Sequence, residues 1–396
     1  MIDGVADRSE FRFDPYSSTV DADPFPFYRR LRDEFPCFWS EDAKMWVISR
    51  YADVLATLND WKSWSSSKGN LMDELPNRAG ATLGTTDPPR HDRLRGLISH
   101  AFMKRNLESL EEPIRAIARK YVEPLRNSGG FDFIADFSSQ VTTEVLFRML
   151  GLPPGDDRVV REKAVLMVQT DPITRSKGPA HVAAYEWMQD YASRVIRERR
   201  QSPRDDLMSH FVLAEIDGQK LDEREVLLTT TTLIMAGIES LGGFMAMFAL
   251  NLADFGDARR ELVRNLTMIP DAIEESLRFN TSAQRFRRCA AREMEIHGQC
   301  VRAGDFVCLA YGAANRDERQ FPNPDIYNVQ RKPRGHLGFG GGVHGCIGAA
   351  IARMAVRIVF EEFLGAFPHF HRTDAQLQWM PSTTFRSPLR LRLSLS

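Results

Sequence analysis

The sequence lacks an excess of either charge, because 52 Lys and Arg face 53 Asp and Glu in 396 residues. A chain so balanced has no overall attraction to nucleic acid or to an anionic membrane, and we predict neither as a partner. Cysteine is scarce, and five thiols over this length do not form the disulfide framework of a small secreted protein. Glycine and proline are near average, and 43% apolar residues exclude collagen-like and disordered chains.

Export and membrane signals are also missing. Residues 1–15 contain no basic segment followed by an apolar run. The longest apolar stretch, residues 227–255, carries Glu239 near its middle, where a charge in a membrane span would cost about 3 kcal/mol. We therefore expect a long buried helix in a soluble, cytoplasmic protein with free thiols.

Helical periodicity dominates the middle of the chain. Apolar residues recur at three- and four-residue spacings, which predicts helices at residues 90–102, 107–126, 142–150, 180–200 and 223–255. Asp271, with Glu274 three residues later, indicates the start of another helix that runs to about Arg278. Strands are predicted at residues 45–49, 289–296 and 306–310. The length allows two or three domains, but no linker is visible, and we predict one mainly α domain, residues 1–396, with small β-sheets near its ends.

Cys346 stands where a glycine-rich segment, HLGFGGGVHGCIG at residues 336–348, meets a strongly helical one. The positive end of a helix stabilises a thiolate, which acts as a nucleophile or as a metal ligand. A nucleophile needs a base held close, and nothing in the sequence directs His344 at the sulfur. A zinc site needs further Cys or His ligands at short spacing, and there are none. One thiolate on heme iron fits better.

The pattern FGxGxHxCxG, from Phe339 to Gly348, resembles the heme-binding loop of the cytochrome P450 family at all six positions. The resemblance implies the cytochrome P450 fold, a large domain that encloses heme b (iron protoporphyrin IX). It also implies that Cys346 is the axial ligand of the iron and that Phe339 packs near the sulfur. Gly348 would let the backbone approach the bulky planar group.

Further segments resemble the family and imply residues that bind the heme propionates. The segment from Asp87, DPPRHDRLR, resembles the start of the family's C helix, and its His91 and Arg95 lie one helical turn apart. The family pattern assigns the same role to Arg288 and His336. Several donors are expected, since a buried propionate must be paired.

Glu275-Ser-Leu-Arg278 resembles the family's E-x-x-R motif. Three other Glu–Arg pairs share this spacing, so the position decides: this pair lies on the last helix before the strand region, about 70 residues before Cys346. The implied role is structural, a buried ion pair with Arg331 as a candidate third member.

The segment from Ala236 to Ser240, AGIES, lies in the long apolar stretch and resembles the family's A-G-x-D/E-T motif. The resemblance implies that Ala236 and Gly237 lie beside the heme, where Gly237 opens a groove for O2. It also implies that Glu239 and Ser240 form the acid–alcohol pair that manages protons. Serine keeps the hydroxyl of the usual threonine but lacks the methyl group that restricts χ1. We expect working proton delivery with more peroxide leakage.

By the same resemblance, residues 65–86, 170–178 and 383–385 and Leu233 of the long helix contact substrate. Two-residue alternation places Gln284, Phe286 and Arg288 on one face. If Arg288 reaches a propionate, Gln284 and Phe286 face the pocket. We expect a small or medium-sized, largely apolar substrate.

The resemblance implies a monomeric, soluble bacterial-type monooxygenase that uses O2. The chain has no flavin or ferredoxin motif, so electrons must come from a separate iron–sulfur ferredoxin and its reductase. A basic patch is predicted to steer this donor, formed by Lys332, Arg334, Arg353 and Arg357, with Arg90 and Arg93. Two alternatives stay open: a peroxygenase, against which the Glu239–Ser240 pair argues, and a heme sensor or carrier, for which no output domain is visible.

Overall fold

The structure is a computed structural model that describes residues 11–99, 108–216 and 218–395. About 51% of the chain is helical, which confirms the mainly α prediction. The helices are α1 (Ser18–Ala22), α2 (Phe25–Asp33), α3 (Tyr51–Asn59), α4 (Arg90–Ser99), α5 (Glu111–Val122), α6 (Ser139–Leu150), α7 (Asp157–Val168), α8 (Pro179–Gln201), α9 (Leu207–Val212), α10 (Glu223–Asp254), α11 (Gly256–Arg264), α12 (Ile269–Phe279), α13 (Tyr311–Ala314) and α14 (Ala349–Ala366). The strands are β1 (Cys37–Ser40), β2 (Met45–Ile48), β3 (Trp64–Ser65), β4 (Gly130–Asp132), β5 (Glu215–Ile216), β6 (Gln219–Lys220), β7 (Arg285–Ala290), β8 (Met294–Ile296), β9 (Gln299–Val301), β10 (Phe306–Ala310), β11 (His371–Arg372) and β12 (Arg392–Ser394).

The long helix α10 runs for 32 residues through the centre of the fold. It begins with a capping box, in which the Asp222 carboxylate accepts from the Glu225 N–H and the Glu225 carboxylate accepts from the Asp222 N–H. Its length and composition would allow it to cross a membrane, but 67% of its most apolar window is buried inside the protein. Since α6, α7 and α8 pack against it, α10 is the core helix that the sequence predicts.

An aromatic cluster joins α10 to α14. The rings of Phe248 on α10 and Phe360 on α14 have centroids 4.4 Å apart. Phe133 and Phe363 meet edge to face at 5.1 Å. All four rings are fully buried, and burial of each is worth about 2–3 kcal/mol. This packing fixes the C-terminal half of α14 against the C-terminal part of α10.

Strands from both ends of the chain form a five-stranded sheet in the order β1-β2-β10-β7-β3. β10 pairs parallel to β2 and antiparallel to β7, and it confirms the predicted strand at residues 306–310. The strand predicted at residues 289–296 is wrong in extent: β7 ends at Ala290, and β8 begins at Met294 in a separate hairpin. A second sheet, β11-β12-β4, pairs the C-terminal strand β12 with β4, which lies between α5 and α6 in the chain.

The predicted start of α12 is also wrong. The helix begins at Ile269, with Met268 in the N-cap position and no side-chain cap. Pro270 is favoured in a first turn because its fixed φ is helical, so Asp271 falls inside that turn, where its charge favours the helix dipole. Among the predicted helix ends, residues 100–102 and 107 lie outside the described residues.

Candidate active site

Cys346 lies just before the N-terminus of α14, with Gly348 in the N-cap position. The backbone N–H of Cys346 donates to the carbonyl of Phe339 at 2.9 Å and closes the loop. Gly342 has a φ of +61°, and a Cβ there would lie 2.0 Å from the carbonyl oxygen of Leu58 on α3. Only glycine fits such a position, so backbone contacts with α3 fix the loop that carries the thiol.

The thiol of Cys346 faces a groove of about 780 Å³ whose lining includes Arg95, Arg334 and Arg353. Desolvation raises the pKa of this thiol, while the N–H of Gly348 and the charges of Arg95 and Arg353 oppose the increase. A bound cation would reverse the balance, because a thiol that coordinates a metal loses its proton. The other cysteines are free thiols too: Cys37, Cys289 and Cys308 are buried, and Cys300 is exposed.

Polar groups without partners lie beside this loop. Among the described residues, Nε2 of His91 and both ring nitrogens of His344 are buried with no hydrogen-bond partner, and the two ring centroids lie 4.7 Å apart. Arg95 donates to the carbonyl of Gly345 at 2.9 Å. Burial lowers the pKa of His344, the Asp87 carboxylate 3.9 Å from its Nε2 opposes this decrease, and the nearby charge of Arg288 lowers the pKa further. Buried unpaired donors beside arginines suit an acidic ligand such as a heme propionate, so the residues present fit heme.

His336 differs from the prediction. Its Nδ1 accepts from the N–H of Gly338 at 3.1 Å, and its Nε2 lies 2.9 Å from the Glu274 carboxylate. Arg353 donates twice to the same carboxylate, at 2.6 and 2.8 Å. Burial opposes ionisation of Glu274, but Arg353 and His336 outweigh it and lower its pKa to about 2. His336 therefore ties the cysteine loop to α12, and its ring is not free for a propionate. The histidine whose ring nitrogens make no hydrogen bond is His344, to which the sequence assigned no role; its Nε2 lies 3.9 Å from the Asp87 carboxylate.

One face of α10 is partly exposed in the middle of the protein. Four partly exposed residues follow one another at intervals of three, one and three: Leu233, Ala236, Gly237 and Ser240. By contrast, Ile234, which follows Leu233, is buried. Residues at these spacings share one helix face. Ala236, Gly237 and Ser240 of the segment predicted to handle O2 and protons therefore share one partly exposed face of α10 with Leu233, whereas Glu239 of the same segment is buried.

Gly237 serves close packing in the structure. A Cβ at this position would lie 2.6 Å from Cδ1 of Leu146 on α6. The expected groove for O2 is therefore not what the missing side chain provides, because Leu146 fills that space. The hydroxyl of Ser240 donates to the carbonyl of Ala236 at 2.5 Å, which leaves its oxygen lone pairs available to accept a hydrogen bond.

Glu239 is a buried carboxyl group, 8% exposed. Burial raises its pKa to about 7, against the opposing effect of a hydrogen bond from the Ser387 hydroxyl, which lies 3.3 Å away. A group with such a pKa both accepts and releases a proton near neutral pH. Ser387 was missed because it lies 148 residues from Glu239 in the chain and belongs to no motif.

Phe286 of β7 lies among aromatic rings. Its centroid is 5.4 Å from that of Tyr311 and 5.9 Å from that of Phe385 in the C-terminal turn. Phe286 itself is only partly buried. Its place in the substrate pocket stays a prediction, and the surroundings suit an apolar ligand.

Gln284 contradicts its predicted place in the pocket. β7 begins at Arg285, so the two-residue alternation does not reach Gln284. The side-chain oxygen accepts from the hydroxyl of Tyr28 at 3.1 Å, and the side-chain nitrogen donates to the carbonyl of Thr281 at 2.6 Å. The amide is fully buried and satisfied by protein groups.

The three segments predicted to contact substrate meet in a buried polar cluster. Nζ of Lys177 lies 3.2 Å from the carboxylate of Asp73, and both side chains are buried. The hydroxyl of Thr383 donates to the same carboxylate at 3.1 Å and lies 3.4 Å from the hydroxyl of Thr170. This cluster joins the loop before α4, the loop between α7 and α8, and the C-terminal turn.

Glu275 and Arg278 form the predicted buried pair, with two hydrogen bonds of 2.7 and 2.8 Å and no exposed surface on either side chain. Arg331 is the third member and donates to Glu275 at 3.1 Å. Arg278 also donates to the carbonyls of Asn315 and Pro324. The pair therefore holds the long loop that leads to the cysteine segment.

Known proteins share both the sequence and this fold. The sequence model of the family described as Cytochrome P450 matches residues 251–387. Mycinamicin IV hydroxylase/epoxidase of Micromonospora griseorubida is 35% identical over 87% of this chain and 88% of its own length. Nocardicin C N-oxygenase of Nocardia uniformis subsp. tsuyamanensis is 32% identical over 97% of this chain and 98% of its own length. The solved structure of the cytochrome P450 PksS from the bacillaene polyketide synthase of Bacillus subtilis 168 superimposes with a TM-score of 0.90 at 30% identity, covering 97% of this chain and 100% of that chain.

The buried histidine nitrogens without hydrogen-bond partners suit an acidic ligand beside Cys346, and these relatives cover 87% and 97% of the chain. Both observations lead to one conclusion: the chain belongs to the bacterial cytochrome P450 monooxygenases, which bind heme b through a cysteine thiolate.

Proposed function

We propose that this monooxygenase inserts one oxygen atom of O2 into a small or medium-sized, largely apolar substrate, with electrons from a separate iron–sulfur ferredoxin and its reductase. We further propose that it acts as one domain, as a monomer, in the cytoplasm. Two features carry the proposal: the partly exposed face of α10 and the Cys346 loop. The aromatic cluster holds α10 against α14, the helix that follows this loop. The names of the relatives, a hydroxylase/epoxidase of mycinamicin IV and an N-oxygenase of nocardicin C, support an organic substrate.

The roles of the heme-binding residues follow from their positions. The thiolate of Cys346 would bind the iron, and His91, Arg95, Arg288 and His344 would pair the propionates. Bound heme supplies the activation of O2 and the transfer of one oxygen atom to a C–H bond. The protein's own part is to hold this group in place, to exclude water and to deliver protons.

Proton delivery is assigned to Glu239 and Ser240. Glu239 holds a proton at its carboxyl group inside the protein. Consecutive residues of a helix point about 100° apart, so the side chains of Glu239 and Ser240 diverge. The described residues show no direct hydrogen bond between them. A water molecule between them would complete the relay to Ser240, whose lone pairs are available to accept a hydrogen bond.

Most of the predicted basic patch is neutralised by neighbouring acids. Arg353 is paired with Glu274, Arg357 with Glu111 and Glu361, and Arg90 and Arg93 share Glu225. Within the described part of the chain, exposed Arg334 has no carboxylate partner and lines the groove at Cys346. We therefore centre the proposed ferredoxin-binding surface on Arg334.

Reversal of one charge tests the donor surface. Arg334→Glu should slow reduction by an acidic ferredoxin and weaken its dependence on ionic strength, because electrostatic steering acts on the association rate. Arg197→Glu, the same change at an exposed position of α8, is the matched control. Equal rates in both variants and in the parent protein would refute the proposed surface.

Turnover separates the proposal from its alternatives. A screen for compounds that shift the ferric Soret band to high spin first identifies a substrate. Product formation with ferredoxin, reductase and O2 supports the proposal. Product with peroxide alone would indicate a peroxygenase, and binding without product under either condition would indicate a sensor or carrier.

A further inference from the structure

The buried carboxyl group of Glu239 has an unusual environment for an acid in a protein core. Buried carboxylates are commonly paired with a cation, but among the described residues no cation lies within ion-pair distance of Glu239. Its hydrogen-bond partner is neutral: the hydroxyl of Ser387 donates to Oε1 at 3.3 Å. This hydrogen bond from Ser387 therefore restricts the orientation of the Glu239 carboxyl group.

Ser387 reaches α10 because the turn that carries it is fixed at several points. The N–H of Met380 donates to the carbonyl of Ser387 at 2.9 Å, and the N–H of Arg386 donates to the carbonyl of Ser282 at 2.7 Å. A Cβ on Gly243, one helical turn after Glu239, would lie 3.3 Å from Cβ of Ser387. The small residue on α10 thus permits the close approach of the turn.

The nearest cation of this turn points elsewhere. The guanidinium of Arg386, next to Ser387 in sequence, donates to Asn280 and to the carbonyls of Asp21 and Ala22. Its hydrogen bonds are therefore made away from Glu239, and the carboxyl group remains without an ionic partner. The hydroxyl of Ser387 is left as the group that orients it.

We propose that Ser387 is a positioning residue that holds the carboxyl group of Glu239 in the orientation from which it delivers protons towards Ser240. The inference rests on the function proposed above for Glu239. The same turn carries Thr383 of the buried polar cluster and Phe385 beside Phe286, so the segment predicted to contact substrate also orients the proton donor.

The experiment compares Ser387→Ala with Ser387→Thr, which keeps the hydroxyl, in the heme-loaded protein. Glu239→Gln identifies the infrared carbonyl band of the protonated carboxyl group. Ser282→Ala is the matched control. Ser282 is buried, and a Cβ on Gly243 would lie 3.5 Å from its Cβ, but its side chain makes no hydrogen bond to Glu239 in the described structure.

Ser387→Ala should move the Glu239 band to higher frequency, and it should slow proton delivery about fivefold, the effect of one lost hydrogen bond. More peroxide per O2 consumed and a changed solvent isotope effect would report the slower step. Ser387→Thr should restore band and coupling, and Ser282→Ala should leave the band in place.

An unmoved band in Ser387→Ala would overturn the inference, as would a shift of the same size in Ser282→Ala. The proposed function fails separately. If Glu239→Gln couples O2 consumption to product as well as the parent protein does, Glu239 does not deliver protons, whatever the band of Ser387→Ala shows, and the positioning role falls with it.

Discussion

Glu275 accepts hydrogen bonds from Arg278, from Arg331 and from the N–H of Asn328. Glu275→Gln keeps the size of the side chain but removes its charge. Arg278 then remains buried, with 0% of its side chain exposed, opposite a neutral amide. Loss of one partner of a buried ion pair costs about 3–5 kcal/mol.

This cost converts into a shift of the unfolding temperature. For 396 residues, an unfolding entropy of about 2.1 cal/mol/K per residue gives roughly 0.8 kcal/mol/K. A loss of about 3–5 kcal/mol therefore lowers Tm by about 4–6 °C. The Soret absorbance of the heme should be lost over the same lowered temperature range, because Arg278 also donates to the carbonyls of Asn315 and Pro324 in the loop before Cys346.

The assay is thermal unfolding of the heme-loaded protein, followed by circular dichroism and Soret absorbance at one heating rate. The control is Glu123→Gln, which alters a pair of the same E-x-x-R spacing, Glu123–Arg126, with side chains 73% and 46% exposed. An exposed pair is worth about 0–1 kcal/mol, so this variant should unfold within about 1 °C of the parent. An equal drop in both variants would refute the structural role of Glu275.

Three further outcomes are expected. Ser240→Thr should lower the fraction of O2 released as peroxide, because the added methyl group restricts the hydroxyl rotamer; equal coupling in both proteins would contradict this. Lys177→Met should cost about 3 kcal/mol or more, since it leaves Asp73 buried without a cation, and adding Asp73→Asn should recover most of the loss; additive losses would exclude the pairing. Glu274 has its pKa lowered to about 2 from 4.5, so its stabilising contribution is complete above about pH 4.5 and is lost as the pH falls towards 2. The gap in urea midpoint between Glu274→Gln and the parent should therefore shrink over that range, and a constant gap would refute the assignment.

The sequence predicted the elements whose signals are long and periodic. α10 agrees with the prediction to within one residue at its end, because 32 residues of consistent helical character leave no competing structure. The start of α12 was wrong since two local signals, the capping box at Asp271 and the helical φ of Pro270, compete and only packing decides between them. The prediction placed β7 incorrectly because the bounds of a short strand depend on its pairing with β10, and this pairing cannot be read from the local sequence.

The candidate site shows the same division. Cys346, Glu275 and Arg278 were found because local motifs mark them, and the structure places them as expected. Ser387 and Glu274 were missed because their partners, Glu239 and His336, lie far away in sequence. His336 was assigned to a heme propionate and Gln284 to the substrate pocket, whereas the fold supplies each side chain with protein partners that no local pattern indicates.

The central claim is that Cys346 binds the heme iron as a thiolate, and the reduced carbon monoxide difference spectrum tests it most directly. The parent protein should show the strongly red-shifted Soret band typical of thiolate-ligated heme. Cys346→His should retain heme and show the unshifted band of a nitrogen-ligated heme. A red-shifted band that persists in Cys346→His, or its absence from heme-loaded parent protein, would contradict the account.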